Sequence, residues 1–196
     1  MNGAPFSLIV ADPPWRFQVW DRVSGLDKSP DYHYDTLADD DILKIPVRDW
    51  LAKDALLVLW VVDPQYPVAF DVAKAWGFDT YVTVLFRWLK SATGQLRMFD
   101  PGERLNYALG YHTRGGGCEE AWLFRRGKGL PVLRHDIRKE FFSTIREHSR
   151  KPDEVYQWVV DLYGDVPRLE MFARTERPGY AVFGNETDKF KSVVNG

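Results

Sequence analysis

The sequence predicts an α/β fold, a single three-layer sandwich with helices packed on a mostly parallel sheet. Three observations lead there. Apolar runs such as Phe6–Ala11 and Ala55–Val62 are continuous rather than alternating, as expected of strands covered on both faces. Helical patterns lie between such runs, and alternation of strand and helix gives a layered α/β architecture. The chain has 196 residues, 45% of them hydrophobic and 28% charged. That is one domain's worth of core with no need of staples.

The elements follow in order. Phe6–Ala11 (FSLIVA) reads as a short buried strand that ends at Asp12-Pro13-Pro14-Trp15. Asp39–Lys53 opens on aspartates able to cap a helix, and Pro46 interrupts it. Ala55–Val62 (ALLVLWVV) is a second buried strand, closed by Asp63-Pro64, with Asp63 read as a turn residue. Gln65–Trp76 is helical and stops at Gly77, a suitable C′ residue. Thr80–Trp88 is β-branched and aromatic, hence a strand. Ala121–Phe124, Arg168–Ala173 and Tyr180–Phe183 are further strands. Pro152–Tyr163 is the clearest helix. Val155, Trp158, Val159, Leu162 and Tyr163 form one apolar face, acids fill the first turn, and Gly164 follows the end. On this reading Lys151 takes the N-cap position, where its charge opposes the helix dipole. The stretches 91–117 and 127–140 are polar and aperiodic, and read as loops. No repeat or linker divides the chain.

Composition removes several classes of protein. The single cysteine, Cys118, excludes an internal disulfide framework and a cysteine zinc site. His33, His112, His135 and His148 lie far apart, so no structural metal is expected. The N-terminal stretch lacks the basic region of a signal peptide, and no apolar run reaches membrane-spanning length. A soluble, cytoplasmic protein is expected. The net charge is −2. It is uneven: from Arg125 to Lys151 nine Lys/Arg face three acids. Such a strip can hold a polyanion locally, although on charge alone a solvated basic loop is slightly the better explanation. No phosphate-cradling glycine motif is present, which argues against a nucleotide hydrolase.

In open α/β sheets, ligands bind beyond the carboxyl ends of the strands. Asp12-Pro13-Pro14-Trp15 stands at such an end. A carboxylate beside a backbone carbonyl can accept both protons of an exocyclic amino group. Proline restricts the backbone on both sides of that carbonyl. Trp15 offers a face on which an extruded base can stack. The plainer alternatives are a turn aspartate and a core aromatic.

At these residues the sequence resembles the MT-A70 family of adenine-N6 methyltransferases. Further blocks carry the resemblance, in the family's order and over nearly the whole chain. They are Tyr34–Ile42, Leu56–Val61 followed by Trp76-Gly77-Phe78, Trp88-Leu89-Lys90, the glycine-rich stretch 110–127, Arg146–Glu154, Leu169–Arg174 and Gly184-Asn185-Glu186. The resemblance implies a class-β amino-methyltransferase with a Rossmann-like fold and S-adenosylmethionine as methyl donor. It implies that Asp12, Pro13, Pro14 and Trp15 are catalytic, with Asp12 and the Pro13 carbonyl accepting from the target amine and Trp15 stacking on the base. Tyr34, Lys151, Glu170, Phe172, Arg174, Asn185 and Glu186 are implied on the cofactor side. Trp88, Lys90, His112, Glu119 and Arg150 are implied on the substrate side.

Two departures matter. Few residues precede Phe6, where longer members contact the cofactor's adenine, and Thr175-Glu176-Arg177-Pro178 differs from larger relatives. No separate target-recognition domain is expected, so loops 91–117 and 127–145, or a second subunit in a homo- or heterodimer, must supply specificity. The size resembles small bacterial and phage members, which implies DNA as the substrate. An RNA substrate and a catalytically silent nucleic-acid-binding partner are the alternatives. The retained Asp12 and Trp15 argue against the silent one.

Overall fold

Strand β1 (Phe6–Ala11) organises the molecule, because its neighbours come from both halves of the chain. The computed structural model describes residues 5–15, 39–91, 117–144, 150–173 and 175–184. After β1 come α1 (Asp39–Leu43), β2 (Leu51–Val61), α2 (Tyr66–Ala75), β3 (Thr80–Ser91) and β4 (Cys118–Arg126). Then follow β5 (Glu140–Thr144), α3 (Glu154–Tyr163), β6 (Arg168–Met171) and β7 (Tyr180–Phe183). The seven strands form one sheet in the order β5-β3-β4-β2-β1-β6-β7. β4 runs antiparallel to β2 and β3, and the other six strands share one direction. The sheet is therefore mixed and mostly parallel, in keeping with the expected Rossmann-like fold.

Burial explains the continuous apolar runs. Ile9, Ala11, Leu57, Leu59 and Val61 pack with Val72 and Trp76 on the α2 face. Leu8, Val10, Leu56, Val58 and Trp60 pack with Val155 and Val159 on the α3 face. Successive side chains of a strand point to opposite faces. With both faces covered, every position along β1 and β2 favours an apolar residue.

The element boundaries differ from expectation where long-range pairing overrides local pattern. The expected helix over Asp39–Lys53 is a short α1, then a 3₁₀ turn at Val47–Trp50. Pro46 cannot donate a helical hydrogen bond, and Leu51 is drawn into register opposite Phe6 of β1. β4 is longer than Ala121–Phe124 because two neighbouring strands pair with it. β5 falls largely in a stretch expected to be loop. It is an edge strand that follows β3 in parallel from Arg87↔Glu140 to Ser91↔Thr144. β6 stops at Met171, before Ala173, because Phe172 takes a left-handed φ of 60° and its N–H turns to the Phe183 carbonyl at 2.5 Å. Among the expected stop signals, Gly77 takes φ 95° after α2, a conformation glycine adopts without strain.

β1 pairs with β2 on one side and β6 on the other. The strand order reverses there, and the crevice at such a reversal is where open α/β sheets hold ligands. Asp12 is the first residue past β1.

Candidate active site

The turn after β1 is braced from below. The Trp15 backbone N–H donates to the Pro13 carbonyl at 2.8 Å. The Trp15 indole N–H donates to the Trp60 carbonyl at 3.1 Å. Trp15 is 4% exposed and belongs to the α2-side apolar cluster. Its placement differs from the expected stacking platform: the ring packs against the core and pins the turn that carries Asp12. The Pro13 carbonyl already accepts one hydrogen bond and keeps a second lone pair.

Above this brace, three further strand and helix ends bring charge to Asp12. Lys151 Nζ lies 2.7 Å from both Asp12 carboxylate oxygens and 3.2 Å from Glu119 Oε2. The other Glu119 oxygen accepts from Lys90 Nζ. β4 starts beside the end of β3, with Glu119 opposite Trp88, and the Lys90 N–H donates to the Gly117 carbonyl at 2.8 Å. The result is a row of alternating charges: Lys90, Glu119, Lys151, Asp12. Lys151 also lies 5.5 Å from the centre of the Trp60 ring. Its side chain is only 5% exposed.

Burial and pairing compete at these groups. Burial pushes Glu119 up, but Lys151 and Lys90 together pull its carboxyl down to about 2. Burial likewise disfavours the Lys151 ammonium, yet Asp12 and Glu119 outweigh it and raise that group above its ordinary range. Both are thus held charged at neutral pH.

Lys151 is not at an N-cap. Asp153 takes the N-cap position, without a side-chain capping hydrogen bond, and Lys151 lies in the approach to it. The Pro152 carbonyl accepts from Val155 N–H at 3.3 Å, so the chain turns before the helix proper. The poor fit of a lysine at the helix N-terminus is offset by two carboxylates rather than by the helix.

A second polar cluster adjoins the first. Arg177 ion-pairs with Asp153 at 2.6 Å and with Glu170 at 3.2 Å, and its guanidinium stacks 3.7 Å from the Tyr156 ring centre. Burial raises Glu170, and the pull of Arg177 does not fully reverse it. Glu170 is ion-paired with Arg177, and its buried Oε2 makes no hydrogen bond among the described residues. Sequence reasoning missed Arg177, Tyr156 and Asp153. Only the unusual Thr175–Pro178 stretch hinted at the first.

The remaining expected residues separate. Trp88 is buried, and its indole N–H donates to the Ser143 carbonyl at 3.0 Å, so it ties β3 to β5. Arg150 pairs with Asp153 at 3.0 Å, beside the site. Phe172 sits at the tip of β6, with its ring stacked 6.4 Å from Trp76. Pro14 follows Pro13 in the braced turn. Asp63 opens a 3₁₀ turn and accepts from the Tyr66 hydroxyl at 2.9 Å. Tyr34, His112, Arg174, Asn185 and Glu186 lie outside the described residues. The described residues that flank three of them, Ala173 and Gly184, touch: a Cβ on Gly184 would lie 2.8 Å from the Ala173 backbone N and O. β6 in turn pairs with β1.

The described residues of the basic segment 125–151 do not form one strip. Arg125 and Arg126 pair with Leu56 and Ala55, at the opposite end of β4 from Glu119. Arg134 is paired with Asp136 and Asp161, and Lys151 with Asp12 and Glu119. Among the described residues no group of His, Cys, Asp and Glu could hold a metal ion, and no helix is long and apolar enough to cross a membrane.

The chain is similar to known proteins over most of its length. A probable N(6)-adenosine-methyltransferase MT-A70-like of Oryza sativa subsp. japonica is 27% identical over 198 residues, covering 97% of this chain and 24% of its own length. The N(6)-adenosine-methyltransferase subunit METTL3 of Danio rerio is 27% identical, covering 93% of this chain and 28% of its own length. The type II methyltransferase M.MunI of Mycoplasma sp is 26% identical, covering 92% of this chain and 77% of its own length. The chain thus spans about a quarter of the plant and fish relatives. The MT-A70 family model matches residues 6–186, from the first residue of β1 past the end of β7, and the chain belongs to the MT-A70 family.

Proposed function

We propose that this protein is an adenine-N6 methyltransferase that uses S-adenosylmethionine and acts on DNA, on a flipped or single-stranded base. The observation that carries the reading is Asp12: an ion-paired carboxylate just past β1, at the point where the strand order reverses.

The described residues fit the cofactor. The ends of β1, β6 and β7 lie side by side, and at this ledge Gly184 approaches the Ala173 backbone so closely that a Cβ would clash with it. Lys151 offers a cation at its rim. S-adenosylmethionine supplies an electrophilic methyl group on a sulfonium. Lys151 and the tip at Phe172, with Arg174, Asn185 and Glu186, would hold it. Glu170 braces the ledge through Arg177.

The chain's own work is at the amine. An adenine amino group is a poor nucleophile, because its lone pair is delocalised into the ring. Asp12 and the free lone pair of the Pro13 carbonyl accept its two N–H bonds. That orients the nitrogen and takes up its positive charge as it reacts. The two prolines and the Trp15 brace hold these acceptors fixed, so little reorganisation is needed.

Similarity across 77% of a type II methyltransferase, against about a quarter of the adenosine methyltransferases, supports DNA over RNA. The retained Asp12, half-buried and ion-paired with Lys151 just past β1, argues against a silent partner subunit. The deciding experiment incubates the protein with tritiated donor and single-stranded DNA, duplex DNA or RNA. Label is expected on adenine N6 of DNA. Asp12→Asn should cost at least about a hundredfold in rate with donor affinity retained. Label on RNA alone would reassign the substrate. Donor binding without label on any adenine would leave the silent reading.

A further inference from the structure

Asp12 does not stand open. Lys151 Nζ is equidistant, at 2.7 Å, from its two carboxylate oxygens. A donor so placed lies between the oxygens, on the side of the carboxylate that bidentate donors use. A carboxylate has about four acceptor sites, so Asp12 is not exhausted. The best-placed pair is nevertheless taken, and by a full positive charge that weakens both oxygens as acceptors.

We propose that Glu119, anchored by Lys90, is a positioning residue that takes over the Lys151 ammonium when the target amino group reaches Asp12. This rests on the reading of Asp12 as the amine acceptor.

Three features of the geometry support the exchange. Glu119 Oε2 already lies 3.2 Å from Lys151 Nζ, so a shift of a few tenths of an ångström brings it to the usual charge-assisted distance. Only the tip of a flexible side chain need move. The exchange conserves net charge: the ammonium keeps a carboxylate partner in Glu119, while Asp12 gives up its cation for the N–H donors of the amine and for the positive charge that develops there as the amine reacts. Finally, Glu119 is itself held. Lys90 binds its other oxygen, and β4 fixes its backbone opposite Trp88. The Trp60 ring, 5.5 Å from Nζ, keeps a favourable wall for the cation beside this short path.

The two carboxylates then have different tasks. Asp12 meets the substrate; Glu119 acts through Lys151. A neutral glutamine at position 119 could not balance the ammonium, so Lys151 would stay on Asp12 and compete with every incoming base.

The test uses the full chain. Glu119→Gln should raise KM for an adenine-containing oligodeoxynucleotide about tenfold while kcat changes less than about threefold, the pattern of lost ground-state binding. The Kd for S-adenosylmethionine should not change, and Glu119→Asp should recover most of the loss. A second measurement needs no change at the site. Side-chain ¹⁵N NMR follows the Lys151 ammonium, assigned by its absence in Lys151→Met. An oligodeoxynucleotide with one adenine should move that signal. The same oligonucleotide with purine, which lacks the 6-amino group, should not. Equal shifts from both, or an unaltered KM in an active Glu119→Gln protein, would overturn the exchange. Failure of the unmutated protein to label any adenine takes down the functional reading and this one with it, and is recognised by that result alone.

Discussion

Lys151 and Asp12 meet at 2.7 Å across 139 residues of chain. Burying either charge alone is costly, and the pair is tolerable only because each is satisfied by the other and by Glu119. The contact therefore joins the approach to α3 with the end of β1, and couples the stability of the domain to the state of its site.

Lys151→Met follows directly. It removes the ion-pair partner of the Asp12 carboxylate and leaves Glu119 paired with Lys90. Urea denaturation should show a loss of about 3 kcal/mol. Asp12→Asn should cost less in the Lys151→Met background than alone, since the partner charge is already gone; equal costs in both backgrounds would show that the two groups are not coupled.

Glu119 makes the stability depend on pH in a defined window. Its folded value is about 2, against an ordinary 4.5. A depressed carboxyl contributes stability above the unfolded value and loses it as pH falls through the folded one. Wild type should therefore exceed Glu119→Gln by a constant amount from neutral pH down to about pH 5, and the gap should close towards about pH 2. Thermal melts across that range measure it. A gap that stays constant throughout would remove the Lys90 and Lys151 pairing as its cause.

Arg177→Ala is expected to destabilise by about 3 kcal/mol, because it strands the buried Glu170 and removes the stacking on Tyr156. Glu170→Gln in that background should restore part of the loss, since the stranded charge is then gone. Chemical denaturation of the three proteins checks this. Absence of any recovery would mean that packing on Tyr156, not the charge of Glu170, carries the effect.

Much of the fold was legible from local pattern. β1 is bounded by Pro5 and Asp12 and is apolar throughout, so its span was readable. α3 carries its own periodicity and stop signal. β5 was not readable: Glu140–Thr144 pairs on one side only and has a polar character that a loop shares. The start of β2 was obscured for a related reason, since Leu51 pairs with Phe6 of β1, a partner far away along the chain.

The candidate site divides the same way. Asp12, Pro13 and Lys151 stood out as residues, the first two by their place after a buried strand and the third by its awkward position near a helix start. Their roles relative to one another did not. Nothing local told that Trp15 is buried beneath the turn, that Glu119 faces two lysines, or that Arg177 locks Glu170.

The amino-acid sequence alone determined the layered α/β class, the strand that ends at Asp12 and the family to which the blocks belong, because apolar periodicity and short motifs are properties of neighbouring residues. Tertiary structure decided which charges meet. Ion pairs such as Lys151 with Asp12 join residues far apart along the chain, and only the order and register of the strands bring such partners within reach.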